Sequence, residues 1–229
     1  MKNLLLLHGA VGSSRQLEGL AKALSSEYTV HTLNFSGHGG RELPEVFSIE
    51  TFADDVLSFL DAEGLTSVFI FGYSMGGYVA LFLARHHPEK VSSVFTLATK
   101  FEWSPDIAQR EAKMLDPEKI QEKVPAFASA LKARHQPISW EQVLSRTAAM
   151  MLSMGARNPL STPDFSAIMQ PVRLAVGDND TMVSIAETTA VCRQLPCASL
   201  AVLPNVQHPI EKIVIADLAR EVDLFFRNP

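Results

Sequence analysis

Six short apolar runs, rich in Val, Leu, Ile and Phe, recur along the chain at residues 3–8, 28–35, 67–72, 91–98, 172–176 and 198–203. They lack the regular polar alternation of a strand with one wet face, so they suit strands covered on both faces, as in a parallel sheet. Between most of them lie segments with helical spacing, at 14–25, 50–63, 75–87, 184–194 and 210–226. Strands alternating with helices, joined by right-handed crossovers, define an α/β fold. With 229 residues, 47% of them hydrophobic, the chain can fill one large core of this kind without a second core domain.

One interval breaks the rhythm. Residues 101 to about 165 hold no convincing strand, but they carry helical pieces, several prolines and the large apolar residues Trp103, Met114, Phe127, Trp140, Met150, Met151 and Met154. The pattern predicts a core built from residues 1–100 and 166–229 and a helical insertion at 101–165. Trp103, Phe127, Trp140 and Met151 are candidates for the walls of a substrate pocket. The insertion's own small core is the competing use for such residues, and spacing does not divide the two.

Charge and composition exclude several classes. The net charge of -5 is mild, and no block of Lys and Arg marks a nucleic-acid or anionic membrane surface. The opening "MKNLLLLHGAVG" has four leucines where a secretory apolar region needs roughly seven to fifteen such residues, so it reads as a strand. No stretch approaches the ~18 apolar residues of a membrane span. Cys192 and Cys197 read as reduced thiols near a helix end, and no further cysteine is present to complete a metal site. A cytoplasmic protein without metal or cofactor is the expectation.

The strand at 67–72 runs into "GYSMG", in which Gly72 and Gly76 flank Ser74 at two residues on each side. A strand turning abruptly into a helix forces its corner residue into a strained conformation, and side chains at the flanking positions would collide with the strand or the helix. The corner hydroxyl then stands above the sheet edge, beside the amino end of the helix, where developing negative charge is favoured. A serine attacks only when a base takes its proton and an acid orients that base. After the run at 172–176 comes "GDND", and after 198–203 comes "PNVQHPIE". Ser74, an aspartate at 178 or 180, and His208 therefore follow one another in the chain order of nucleophile, acid and base.

Taken together, these motifs resemble those of the α/β-hydrolase superfamily, of the small serine-esterase type with a helical cap, over nearly the whole chain. His8-Gly9 matches the family's "HG" after a strand, Gly72 to Gly76 its "GxSxG", Gly177 to Asp180 its "GxxD", and His208 its histidine before the last helix. The resemblance implies Ser74, Asp180 and His208 as catalytic residues, with Asp178 a loop-capping or solvated neighbour. It also implies an oxyanion hole made by the backbone N–H groups of Met75 and Ala10, with Val11 as the alternative to Ala10. Asn34 stands where many relatives have an aspartate, and Gln207 where a glycine often precedes the histidine. Because the "HG" strand comes first, a sheet of six mostly parallel strands is expected. The remaining histidines read as structural: His8 shaping the oxyanion loop, His38 in a turn, His86 and His87 closing a helix, and His135 exposed in the insertion.

The implied activity is hydrolysis of a small carboxylic ester or thioester through an acyl-enzyme intermediate. The same triad also serves carbon–carbon bond hydrolysis, lactone opening, elimination and perhydrolysis, so fold alone does not fix the reaction. A ligand-binding receptor on a hydrolase scaffold is the non-catalytic alternative. A nucleotide site is disfavoured, because "GAVG" is neither G-x-G-x-x-G nor followed by a P-loop lysine.

Overall fold

A computed structural model describes residues Met1–Pro229. Each of the six apolar runs forms a strand: β1 (Lys2–Leu7), β2 (Tyr28–Leu33), β3 (Val68–Tyr73), β4 (Val91–Leu97), β5 (Val172–Gly177) and β6 (Ala198–Leu203). They make one sheet in the order β2-β1-β3-β4-β5-β6, with every neighbouring pair parallel. Unbroken apolar runs follow from this placement. Along β1, Leu5 and Leu7 enter the larger core cluster on one face, while Leu4 and Leu6 enter the second cluster on the other. The edge strand β6 is only partly buried along most of its length.

The helices that cover the sheet lie where the periodicity puts them. On one face pack α2 (Ile49–Ala62), α3 (Met75–His86) and α9 (Ile185–Cys192), and on the other α1 (Glu18–Leu24) and α10 (Ile215–Arg227). The first and last of these begin later than their spacing indicates, because residues 14–17 and 210–212 wind into 3₁₀ turns instead. The N-caps Ser48 and Ser184 accept hydrogen bonds from the N–H groups of Thr51 and Glu187, which fixes where α2 and α9 start.

Between β4 and β5 run five helices and no strand: α4 (Pro105–Lys113), α5 (Pro117–Lys123), α6 (Pro125–His135), α7 (Trp140–Ala156) and α8 (Thr162–Ser166). Proline at the first or second position opens four of the five. Two directions of winding part company between β1 and β3, since β2 lies on one side of β1 and all later strands on the other. In open α/β sheets the crevice at the carboxyl ends of strands at such a point is where ligands bind.

Candidate active site

Ser74 is the single residue between β3 and α3, and its backbone lies at φ 50°, ψ −115°. That is the strained, positive-φ corner the glycine pattern requires. A Cβ on Gly76 would stand 2.5 Å from the Leu7 carbonyl oxygen and 2.7 Å from that of His8, so the elbow can sit against β1 only with glycine there. A Cβ on Gly72 would strike the backbone of Gly76 and Gly77. The corner is held by its main chain. Ser74 N–H donates to Leu97 O at 2.8 Å, and Ser74 O accepts from the Thr99 hydroxyl at 3.0 Å and from Gly77 N–H at 3.0 Å. Its own hydroxyl is left without a protein hydrogen-bond partner.

His208 and Asp180 arrive from the loops after β6 and β5. Asp180 Oδ2 accepts from His208 Nδ1 at 2.8 Å, and Oδ1 accepts from the N–H groups of Met182 and Val183 at 2.8 and 2.9 Å. The Asp180 side chain is fully buried, and 12% of the His208 side chain is exposed. Burial pushes the Asp180 carboxyl up, but the hydrogen bond and charge of His208, with the two N–H donors, outweigh it and hold the group below the usual carboxylate value. A carboxylate at Nδ1 requires the proton on that nitrogen and leaves Nε2 as the basic one. Asp178 lies exposed on the same loop and makes no hydrogen bond to the imidazole. The Tyr73 hydroxyl donates to His208 O at 3.0 Å and so ties the histidine loop to the end of β3.

Ser74 and His208 line one small cavity of about 50 Å³, together with Ala10 and Met75. No direct hydrogen bond joins the serine to the imidazole, a looseness common in unliganded sites of this chemistry. Ala10 sits in a tight turn closed by Gly12 N–H donating to Gly9 O at 3.1 Å. The third residue of that turn is Val11, at φ 51°. Its carbonyl accepts from Arg134 Nη1 at 2.9 Å and His135 Nε2 at 3.0 Å. Neither Ala10 N–H nor Met75 N–H donates to another protein group, which leaves both available to a ligand.

A family profile described as the alpha/beta hydrolase fold matches residues 2–150. The chain belongs to the alpha/beta hydrolase family. Among curated proteins, a pimeloyl-[acyl-carrier protein] methyl ester esterase of Neisseria meningitidis serogroup C is 34% identical over 99 residues, which is 43% of this chain and 37% of that protein. The chain thus matches little more than a third of that relative's length. A 2-(acetamidomethylene)succinate hydrolase of Mesorhizobium japonicum is 23% identical over 92% of this chain and 82% of its own. Among solved structures, a thermophilic esterase from Thermogutta terrifontis superposes with a TM-score of 0.78 at 22% identity, covering 99% of this chain and 90% of that one. An enol-lactonase from Burkholderia xenovorans gives a TM-score of 0.80 at 21% identity, covering 99% and 92%. At these identities the structural likeness is one of fold. No helix is long and apolar enough to cross a membrane.

Within this alpha/beta hydrolase scaffold the pocket candidates divide. Trp103 and Met151 line the cavity, joined by Met150 and Met154 of α7. Trp140 does not. It is buried against Ile120, Ala128, Leu131 and Leu144 in a small cluster internal to the insertion. Phe127 does not either; it sits on the outer side of α6, 41% exposed. His135 is fully buried rather than exposed, because its ring reaches back to the Val11 carbonyl and accepts from Gly39 N–H at 3.2 Å. Sequence reasoning passed over Lys100, Glu111, Ile49, Tyr78, Met182 and Val183, all of them in the cavity wall. Lys100 had a usable signal, since it follows the end of β4 by three residues, at the sheet edge where ligands bind.

Proposed function

We propose that this protein is a cofactor-independent serine hydrolase acting on small carboxylic esters or thioesters. The observation that carries the reading is the Asp180–His208 pair opening into the same cavity as the strained Ser74. Ser74 Oγ attacks the carbonyl carbon while His208 Nε2 takes the hydroxyl proton, and Asp180 holds the imidazole and stabilises its charged form. The carbonyl electrons move onto oxygen, where the N–H groups of Ala10 and Met75 receive the negative charge. Collapse of this intermediate expels the alcohol or thiol, which leaves with the proton from His208, and the acyl group stays on Ser74. Water then attacks with His208 again as base, the carboxylic acid departs, and Ser74 regains its proton. The predominantly apolar wall of Trp103, Met150, Met151 and Met154 suits a short acyl or alkyl group. Similarity to an esterase and to a hydrolase among curated proteins supports the reaction class.

A fluorophosphonate probe is expected to label this chain once, at Ser74. Ser74→Ala is expected to lower turnover of a generic ester by roughly four to six orders of magnitude and to abolish labelling. Labelling at another residue, or an active alanine variant, refutes the assignment.

A further inference from the structure

Two charged side chains interrupt the apolar wall around Ser74. Lys100 lies between β4 and α4, Glu111 lies near the end of α4, and both line the cavity that holds Ser74 and His208. They are mostly buried, with 16% and 14% of their side chains exposed. Lys100 Nζ donates to Met182 O at 3.0 Å and stands 3.8 Å from Glu111 Oε1 and 3.9 Å from Glu187 Oε2.

The two carboxylates differ in how far they are satisfied. Glu187 accepts from Phe101 N–H, Glu102 N–H, Ser184 N–H and the Ser184 hydroxyl, at 3.0, 3.4, 3.1 and 3.3 Å. Its lone pairs are occupied in joining the start of the insertion to the start of α9. Glu111 accepts no hydrogen bond from another protein group, and its charged neighbour Lys100 is beyond hydrogen-bond reach. Lys100 in turn has engaged one of its three N–H donors in a hydrogen bond. An anion whose oxygens no protein donor fills and a cation with spare donors therefore border the cavity side by side.

The spacing selects what can fill this gap. One oxygen placed about 2.8 Å from both Nζ and Oε1 would see them at an angle of roughly 85°, narrower than tetrahedral but still workable for two hydrogen bonds. That oxygen must accept from the lysine and donate to the glutamate. A hydroxyl does both. A ketone, ester or carboxylate oxygen only accepts, and an ammonium only donates. Charge points the same way, because Lys100, Glu111 and Glu187 together carry a formal charge of about −1, which disfavours an anionic group.

We propose that Lys100 and Glu111 form a subsite for an uncharged hydroxyl of the substrate, so that hydroxylated esters or thioesters are the preferred class. The inference rests on the serine-hydrolase reading and adds to it the chemistry of the group recognised beside the reacting carbonyl.

The test is a matched series of esters assayed with the intact protein. One arm carries a hydroxyl at successive carbons of a short acyl chain, a second carries it on the alcohol as glycol monoesters, and two others carry no substituent or a carboxylate. At least one hydroxylated ester is expected to exceed its unsubstituted parent by roughly ten- to hundredfold in kcat/KM, with the carboxylate below both. In the double variant Lys100→Met with Glu111→Leu that ratio is expected to fall to about one. Labelling of Ser74 by a fluorophosphonate shows that the variant remains assembled. Should it fail to label, Glu111→Gln, nearly isosteric, reads the same ratio and is expected to lower it severalfold. No advantage for any hydroxylated ester, a preference for the carboxylate, or a ratio that survives in the variants overturns the subsite. A wild-type protein that turns over the unsubstituted ester but shows none of the preference leaves the hydrolase reading standing. One that neither turns over any ester nor takes the probe removes both.

Discussion

Asp178 and Asp180 lie two residues apart on one loop, yet only one of them can orient an imidazole. Asp180 is buried, accepts from two main-chain N–H groups and meets His208 Nδ1 at 2.8 Å, whereas Asp178 points to solvent. Asp180→Asn would present an amide that donates to Nδ1 as readily as it accepts, and so would favour the tautomer with its proton on Nε2. Its expected effect is a fall in kcat of up to about 10⁴-fold with KM little changed, while Asp178→Asn costs far less. Steady-state kinetics on the two variants checks the ranking, and the reverse order moves the acid to Asp178. The elbow and the loop positions were legible because each rests on local sterics or on chain order: glycines at a sharp corner, a carboxylate after one strand, a histidine after the next. Glu111 was not legible, because a charged residue in a helical insertion reads as solvated surface until the fold buries it against a cavity, and Lys100 had only its place just after β4 to mark it.

At the scale of elements, the insertion divides its large residues between two tasks, and two tryptophans report them separately. Trp103 belongs to the cavity wall, and Trp140 fills the cluster that holds α5, α6 and α7 together. Each methylene buried in the cavity contributes up to about 0.8 kcal/mol, roughly fourfold in kcat/KM if fully realised in the transition state. Over a series of p-nitrophenyl esters, kcat/KM is therefore expected to climb across the first few acyl carbons and then fall once the space is full. Trp103→Ala should move that maximum to longer chains. Trp140→Ala should instead lower stability by about 3–5 kcal/mol, read by urea unfolding, with the position of the maximum unchanged. A flat profile, or a shift caused by Trp140→Ala alone, removes the insertion as the selector of substrate size. Periodicity located these helices but did not divide their apolar residues, because a helix within an insertion faces its neighbours and the core at once, and the same residue types serve both.

At the scale of the whole molecule, three histidines distant in sequence bind the insertion to the core. His8 after β1, His38 after β2 and His135 at the end of α6 are all fully buried, with ring centroids 5.2 Å apart for His8 and His38 and 5.7 Å for His38 and His135. Sequence could not reveal the cluster, since the bond from His135 to the Val11 carbonyl spans 124 residues and carries no local signature. Burial makes protonation of each ring costly; the Arg134 guanidinium adds to the cost at all three, and a neighbouring ring does so at His8 and His38. His8 is pushed down from 6.5 to about 3, His135 from 6.5 to about 4, and His38 well below its ordinary value. Between those folded values and the unfolded value near 6.5, the unfolded chain binds more protons than the folded one. Their contribution to stability is thus present in full above that pH and is lost progressively as pH falls below it, at up to about 1.4 kcal/mol per pH unit for each ring. The lowered Asp180 carboxyl acts below its ordinary value of 3.8, outside the window from pH 6.5 to 5, so it does not obscure the effect. Urea unfolding across that window is expected to show steep loss of stability in the wild-type protein. His135→Gln keeps a donor for the Val11 carbonyl but removes one titrating group, so its slope should be shallower by up to about 1.4 kcal/mol per pH unit. Identical slopes in the two proteins would mean that His135 gains its proton in the folded state as easily as in the unfolded one, and that the insertion is not held to the core by a neutral histidine cluster.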